Sequence, residues 1–462
     1  KQGYDWLCRL CHWGLGACLA DDMGLGKTIQ TLALLLRQAH RGPSLVIAPT
    51  SVVPNWIKEA QKFARDLNLI NYRDQRSACL DSLKSKDVLI MSYGLAFRDQ
   101  KALTQLDWNV LVLDEAQAIK NAQTKTAKAI RSLNFNWALA LSGTPVENNP
   151  GELWSLFHTI NPIILGSWEK FRHRFGIPIQ RWGSEQAAVE LQRLVQPFIL
   201  RRMKKDYLPE LPAKTEMVMS VEPNEDQKLF YQAVRQEALE SLEEQENKNQ
   251  EDEETAKDKK TEAQERVKIL GALTRLRLAA CHPQLIDDEW QGDSAKMQRF
   301  IELSQNLVAG GHKALIFSQF TSHLSLLREA LKNLNLDCLY LDGSTPQDKR
   351  MAMVNQFQEG GTPFFLISLK AGGTGLTLTE ADYVLHLDPW WNPAVEDQAT
   401  DRAWRMGQKK PVMVYRIVTE GTIEEKILQL HDSKRDMVNQ LLAGTNKAGQ
   451  VSTKELMDLI RG

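Results

Sequence analysis

The sequence predicts an α/β fold in which two parallel sheets follow one another along the chain, and three observations carry that expectation. Short runs rich in Val, Ile, Leu and Ala recur at intervals of roughly 20 to 40 residues, too apolar throughout to leave one face wet, as central parallel strands require. The stretches between them show helical periodicity, as crossover connections do. Most of the runs end at a polar or small residue, where the open end of such a sheet presents its chemistry.

In chain order, the runs 17–20, 45–48, 88–91, 110–113 and 138–141 make the first series of strands. Residues 150–210 change character, with Trp154, Phe157, Trp168, Phe171 and Phe175 at helical spacings and few strand-like runs, so a helical insertion is expected there. Residues 224–280 are again helical in pattern, interrupted by an acidic stretch at 243–265. That stretch lacks apolar residues, which argues for a solvated loop or an exposed helix end; an acidic docking element is the alternative. The second series of strands follows at 314–317, 338–341, 364–367, 383–387 and 412–417.

A chain of 462 residues suggests two to four compact units, and 43% hydrophobic with 25% charged residues is the balance of a globular protein. No apolar run is long enough to cross a bilayer, and the first residues lack signal-peptide architecture, although they also lack an initiator Met. Six cysteines are sparse in so long a chain and, apart from Cys8 and Cys11, lie far apart, unlike a disulfide framework, so a reducing, cytoplasmic setting is expected. The net charge of -1 hides an asymmetry: 243–265 holds ten acidic and four basic residues, which leaves the remainder at +5. Such a surplus permits nucleic-acid binding without demanding it.

The strongest motif is Asp21-Asp22-Met23-Gly24-Leu25-Gly26-Lys27-Thr28, between the first predicted strand and an apolar helix. Glycines let backbone fold around phosphate and a helix N-terminus offers it N–H groups, while Lys27 neutralises charge and Thr28 can hold Mg2+. Asp22, Gly24, Leu25, Gly26, Lys27 and Thr28 are the candidate nucleotide ligands, and Asp21 departs from the general pattern, which has Gly there. The run 110–113 leads into Asp114-Glu115-Ala116-Gln117. A carboxylate at a strand's C-terminal end can bind the magnesium and its neighbour can orient the attacking water, so Asp114 is assigned to the metal and Glu115 to the water. Phosphoryl transfer also calls for positive charge from elsewhere. Arg402 and Arg405, within Asp397-Gln398-Ala399-Thr400-Asp401-Arg402-Ala403-Trp404-Arg405, are three apart and would share one helical face.

These residues resemble the Swi/Snf-type ATPases of helicase superfamily two, a family that includes chromatin remodellers with bacterial and archaeal relatives. The resemblance runs nearly end to end. It includes Ile47-Ala48-Pro49-Thr50-Ser51 with Pro54-Asn55-Trp56, Met91-Ser92-Tyr93-Gly94, Leu141-Ser142-Gly143-Thr144-Pro145, Phe198-Ile199-Leu200-Arg201-Arg202 and Cys281-His282-Pro283. Further on come Ile316-Phe317-Ser318-Gln319-Phe320, Leu341-Asp342-Gly343-Ser344-Thr345, Ser368-Leu369-Lys370-Ala371-Gly372-Gly373-Thr374-Gly375-Leu376 and Asp388-Pro389-Trp390-Trp391-Asn392-Pro393.

The resemblance implies two RecA-like lobes, 1–221 with an insertion near 150–197 and 222–436 with an insertion near 222–286, then a C-terminal helical extension over 437–462. It implies ATP and Mg2+ as cofactors in the cleft between lobes and double-stranded DNA lying across both. Lys27, Glu115, Arg402 and Arg405 would be catalytic, with Gln117, Gly375 and Gln398 also at the nucleotide. Pro49, Thr50, Ser51, Ser92, Tyr93 and Thr144 would lie on the DNA side of the first lobe, and Ser318, Gln319, Lys370, Gly373 and Thr374 on that of the second. Ordinary capping of strand ends is the competing reading for these small polar residues. The family's adenine-reading Gln is expected upstream of the helix that begins near Tyr4, before residue 1.

The implied function is an ATP-dependent translocase on double-stranded DNA that remodels or displaces a DNA-bound protein not identified by the sequence; a strand-separating DNA or RNA helicase is the alternative. Arg201-Arg202-Met203-Lys204-Lys205 reads as a basic patch or as a solvated turn. Cys8-Arg9-Leu10-Cys11-His12 has the spacing of haem attachment or half a zinc site. However, Tyr4, Leu7, Cys8 and Cys11 follow one helical face, so a packed helix is expected there, with neither haem nor zinc.

Overall fold

A computed structural model describes residues 1–143, 150–251, 259–372, 376–431, 457, 460 and 461. The chain divides between Glu210 and Leu211 into two units, each built on a parallel sheet. The first unit holds β1 (Ala17–Leu19), β2 (Ser44–Ala48), β3 (Asn68–Asn71), β4 (Asp87–Ser92), β5 (Asp107–Asp114), β6 (Asn134–Leu141) and β7 (Ile199–Leu200), in the order β3-β4-β2-β5-β6-β1-β7. Alternate residues of its central strands enter different cores. Val46, Val110, Val112 and Leu139 lie on one face and Leu45, Ile47, Leu111 and Ala138 on the other. Burial on both faces is why these strands read as unbroken apolar runs.

The second unit holds β8 (Lys214–Val221), β9 (Ala314–Ser318), β10 (Cys338–Leu341), β11 (Phe364–Ser368), β12 (Tyr383–His386) and β13 (Val412–Thr419), in the order β10-β11-β9-β12-β13-β8. Leu315 and Phe317 face one core, Ala314 and Ile316 the other. The expected boundary after residue 221 is corrected here. β8 pairs along its length with β13, Lys214 opposite Val412 and Val221 opposite Thr419, which draws residues 211–221 into the second unit. The extension expected over 437–462 lies outside the described residues apart from 457, 460 and 461.

Both expected helical regions are present. Helices Pro150–Ile160, Ile177–Trp182 and Glu185–Val195 enclose a separate core around Leu153, Phe157, Phe171, Phe175 and Leu191. In the second unit the acidic stretch is helical as far as Glu251 and again from Lys259, within helices Glu225–Glu251 and Lys259–Cys281. Helix Gln2–His12 carries the Cys8 to His12 motif. Its buried stripe is turned slightly from the expected one, with Gly3, Leu7, Leu10 and Cys11 inside and Tyr4 and Cys8 half-buried. Among the described residues no helix is long and apolar enough to cross a membrane.

Candidate functional site

The phosphate loop leaves the buried strand β1 and turns through Gly24 (φ 89°) and Gly26 (φ 72°), left-handed backbone that glycine adopts without a Cβ clash. Helix Lys27–Gln38 then begins with no side-chain cap, so its first N–H groups are available to an anion. Lys27 Nζ donates to the carbonyl oxygen of Asp21, and Thr28 lies half-buried in the first turn. The departure at position 21 has a structural partner: the fully buried Asp21 carboxylate accepts from the backbone N (3.1 Å) and Nε (3.0 Å) of Arg202, and pairs with its Nη2. Asp22 also holds this segment, accepting from the backbone N of Lys204 at 2.9 Å. Both readings of residues 201–205, as a basic patch and as a solvated turn, are thereby corrected at Arg202, which is ion-paired, and at Lys204, which is 1% exposed.

One strand separates β1 from β5, and β6 is that strand. β5 ends in the buried Asp114, whose Oδ2 accepts the indole N–H of Trp56 at 2.7 Å and whose Oδ1 accepts the Glu115 N–H at 2.9 Å. The Tyr93 hydroxyl donates to the Asp114 carbonyl at 2.8 Å. Burial above all, then the charge of Glu115, pushes the Asp114 carboxyl up to about 7, against the pull of Trp56 and Lys27. Glu115 takes a left-handed conformation (φ 51°), and its Oε2 accepts from Gln117 Nε2 at 2.7 Å. Gln117 Oε1 in turn accepts the Ser142 hydroxyl at 3.2 Å, beyond the end of β6. Lys27, Asp114, Glu115, Gln117 and Ser142 thus cluster at the C-terminal ends of β1, β5 and β6. Two adjacent carboxylates, one buried, with a hydroxyl at Thr28, make a donor set that a hard divalent cation suits.

The other expected site residues fall into three groups. Some are placed as surface or half-buried groups: Pro49, Ser51, Ser92 and Gln319 are half-buried, and Thr50 and Lys370 exposed. Ser92 also caps its helix, accepting from the Leu95 N–H at 3.3 Å. Tyr93 and Ser318 are buried instead, Tyr93 on Asp114 and Ser318 folded onto its own loop, accepting from the Phe320 N–H at 3.0 Å; their side chains do not present a free DNA-facing surface. Thr144, Gly373, Thr374 and Gly375 lie outside the described residues.

In the second unit, helix Pro393–Thr400 contains Gln398 and stops before Arg402. The two arginines therefore do not share a helical face as expected. They converge from turns, each donating through Nη1 to the Leu376 carbonyl, Arg402 at 3.5 Å and Arg405 at 3.4 Å. The same unit brings Cys281, His323 and Asp388 within 4.8 Å of one another, all buried. Arg277 stands 3.7 Å from Asp388, and Lys296, itself paired with Glu424, is close enough to act on both Cys281 and Asp388. These buried cations already balance the acids, so the group does not fit a divalent ion.

Residues 1–285 match the family model described as SNF2-related domain, and residues 295–407 that described as helicase conserved C-terminal domain. The Bacillus subtilis protein YwqA, provisionally named an ATP-dependent helicase/translocase, is 41% identical across 99% of this chain and 50% of its own length. The ISWI chromatin-remodeling complex ATPase ISW1 of Saccharomyces cerevisiae is 32% identical across 96% of this chain and 40% of its own. The solved Sulfolobus solfataricus SWI2/SNF2 ATPase core in complex with dsDNA is 34% identical, covering 99% of this chain and 95% of that one, with a TM-score of 0.46. The chain spans half or less of the length of the two curated relatives.

Proposed function

The chain belongs to the SNF2-related family, and on that premise we propose that it hydrolyses ATP to drive translocation on double-stranded DNA, remodelling or displacing proteins bound there. The observation that carries this reading is the cluster of a phosphate loop, a buried acid, a second acid and a glutamine at the ends of three neighbouring strands.

The first turn of helix Lys27–Gln38 and the Lys27 ammonium receive the phosphates. Magnesium, held by Thr28 and Asp114, would neutralise charge on the phosphate oxygens. Glu115 is positioned to orient water and accept its proton, a task for a carboxylate held at one orientation, here by Gln117. Because Gln117 is also bonded to Ser142, a shift of Glu115 on hydrolysis is transmitted to the segment after β6. Arg402 and Arg405 are the candidate groups for stabilising charge on the transferred phosphoryl, with Gln398 and Gly375 beside them in the family pattern.

A motor that passes any sequence grips phosphates rather than bases. Pro49, Thr50, Ser51, Ser92 and Thr144, with Gln319, Lys370, Gly373 and Thr374, are the proposed contacts, through hydroxyls, amides and one exposed ammonium. The test is the ATPase rate with no DNA, single strands and duplex. Duplex should stimulate most and Lys27→Ala should abolish turnover, whereas equal rates under all three conditions would sink the translocase reading. Efficient unwinding of a forked duplex would favour the strand-separating alternative.

A further inference from the structure

We propose that Arg202 is a positioning residue for ATP turnover: it latches the phosphate loop through Asp21 and Gln30 and ties that loop to the segment leading out of the first unit. The proposal rests on the ATPase reading and adds a residue outside the loop and its metal site.

The latch is built from both sides. Arg202 presents its backbone N and its guanidinium to the two oxygens of Asp21, which is 0% exposed. A carboxylate so far from water has no alternative partner, so this geometry is held firmly. The carbonyl of that same Asp21 accepts from Lys27 Nζ, so the group that positions the phosphate-binding lysine is itself positioned by Arg202. Nη2 of Arg202 also donates to Gln30 Oε1 at 2.8 Å, and Gln30 Nε2 donates to the carbonyls of Leu25 (3.1 Å) and Gly26 (3.2 Å). One guanidinium therefore reaches the start of the loop through Asp21 and its end through Gln30.

A second observation points to the same device. In helix Gln2–His12, a Cβ at Gly3 would stand 2.0 Å from Gln30 Oε1 and 2.6 Å from Arg202 Nη2. Glycine occurs where the latch passes, and the atoms a methyl group would meet, Gln30 Oε1 and Arg202 Nη2, are the two ends of the latch itself. The connection continues along the backbone: Asp22 N donates to the Arg202 carbonyl at 3.0 Å, and Lys204 N to the Asp22 carboxylate at 2.9 Å. The unit ends at Glu210 in the same segment. When phosphate draws Lys27 away from the Asp21 carbonyl, the change falls on the residue that Arg202 grips.

Arg202→Ala would strand the buried Asp21 carboxylate and put folding at risk, so the decisive variants of the full chain are Gly3→Ala, which displaces the latch ends, and Arg202→Lys, which keeps charge but loses the fork. Without DNA, both should raise the KM for ATP about 10-fold while kcat stays within about 3-fold of wild type, a loss of ground-state positioning rather than chemistry. Thermal melting checks that the fold is retained. Limited trypsin cleavage within residues 201–210 should respond to a non-hydrolysable ATP analogue in the wild-type chain and not in Gly3→Ala. An unchanged KM in both variants, a fall in kcat at constant KM, or an intact nucleotide response in Gly3→Ala would overturn the proposal. Since every readout is taken without DNA, a failure of duplex stimulation counts against the translocase reading alone.

Discussion

The indole N–H of Trp56 bonds Oδ2 of Asp114 at 2.7 Å, across 58 positions of sequence. Trp56 is fully buried in helix Val53–Phe63, so the ring fixes the orientation of a carboxylate whose other oxygen is held by the Glu115 N–H. Trp56→Phe keeps most of the ring and removes the donor. Partners that orient a metal ligand are commonly worth 10–100-fold in affinity, so the Mg2+ concentration for half-maximal ATPase should rise about 10-fold. A magnesium titration that did not move would reduce the indole to packing.

Glu115 is the proposed base and Gln117 its support. Glu115→Gln preserves shape and loses basicity; ATPase should fall by about 10²–10⁴-fold while a fluorescent ATP analogue still binds. Gln117→Ala should lower kcat less, because water can replace part of its bond. Retained hydrolysis in Glu115→Gln would move the base elsewhere.

The Lys296 ammonium and Glu424 carboxylate are 0% exposed, with Lys296 bonded to both carboxylate oxygens at 2.6 Å and to the Leu387 carbonyl at 2.7 Å. Breaking one side leaves a buried charge. Lys296→Ala should cost about 3–5 kcal/mol, whereas Lys296→Met with Glu424→Leu, which removes both charges, should recover much of the loss. Urea unfolding of the two variants beside the wild-type chain distinguishes an unpaired charge from a lost contact.

Acid should weaken the second unit in two windows. Burial holds the His386 imidazole down to about 4 from 6.5, although Glu396 pulls it up, and Nε2 lies 2.9 Å from the Thr400 hydroxyl. Below pH 6.5 the unfolded chain takes a proton that the folded chain refuses, so stability falls from there to about pH 4, by on the order of 3 kcal/mol in full. Glu216 adds a second loss at lower pH, for a different reason. Burial would raise it, but Lys214 and Arg416 hold it at about 2, so its contribution is present above 4.5 and lost between 4.5 and 2. Urea midpoints at pH 7 and pH 5 should differ in the wild-type chain and differ less in His386→Asn, with the remainder carried by the buried His323, which burial also holds well below its ordinary value.

Ten of the thirteen strands among the described residues are legible in sequence, and the other three, β3, β7 and β8, all lie at sheet edges. An edge strand has one neighbour and more solvent, so the unbroken apolar run that marks a central strand is absent. β8 shows this plainly, with Met217 and Val218 about half exposed. The same limit applied to the site. Gly24 to Thr28 and Asp114 to Gln117 are contiguous and carry their chemistry in their spacing, whereas Asp21 and Arg202 meet across 181 positions and only the fold joins them. The one visible trace was an acid where a phosphate loop has glycine. Trp56 stood within Pro54-Asn55-Trp56 without a role, since nothing in its neighbours points to Asp114. Arg402 and Arg405 show the reverse error: spacing suggested a common helix, and the helix stops at Thr400.

The acid at position 21 alters the entropy of the loop it begins. A glycine there would leave the first residue as free as Gly24 and Gly26, and an incoming nucleotide would have to order it on each encounter. With Asp21 fastened in the core, that ordering is completed when the chain folds, and the pocket stands preorganised before any phosphate arrives.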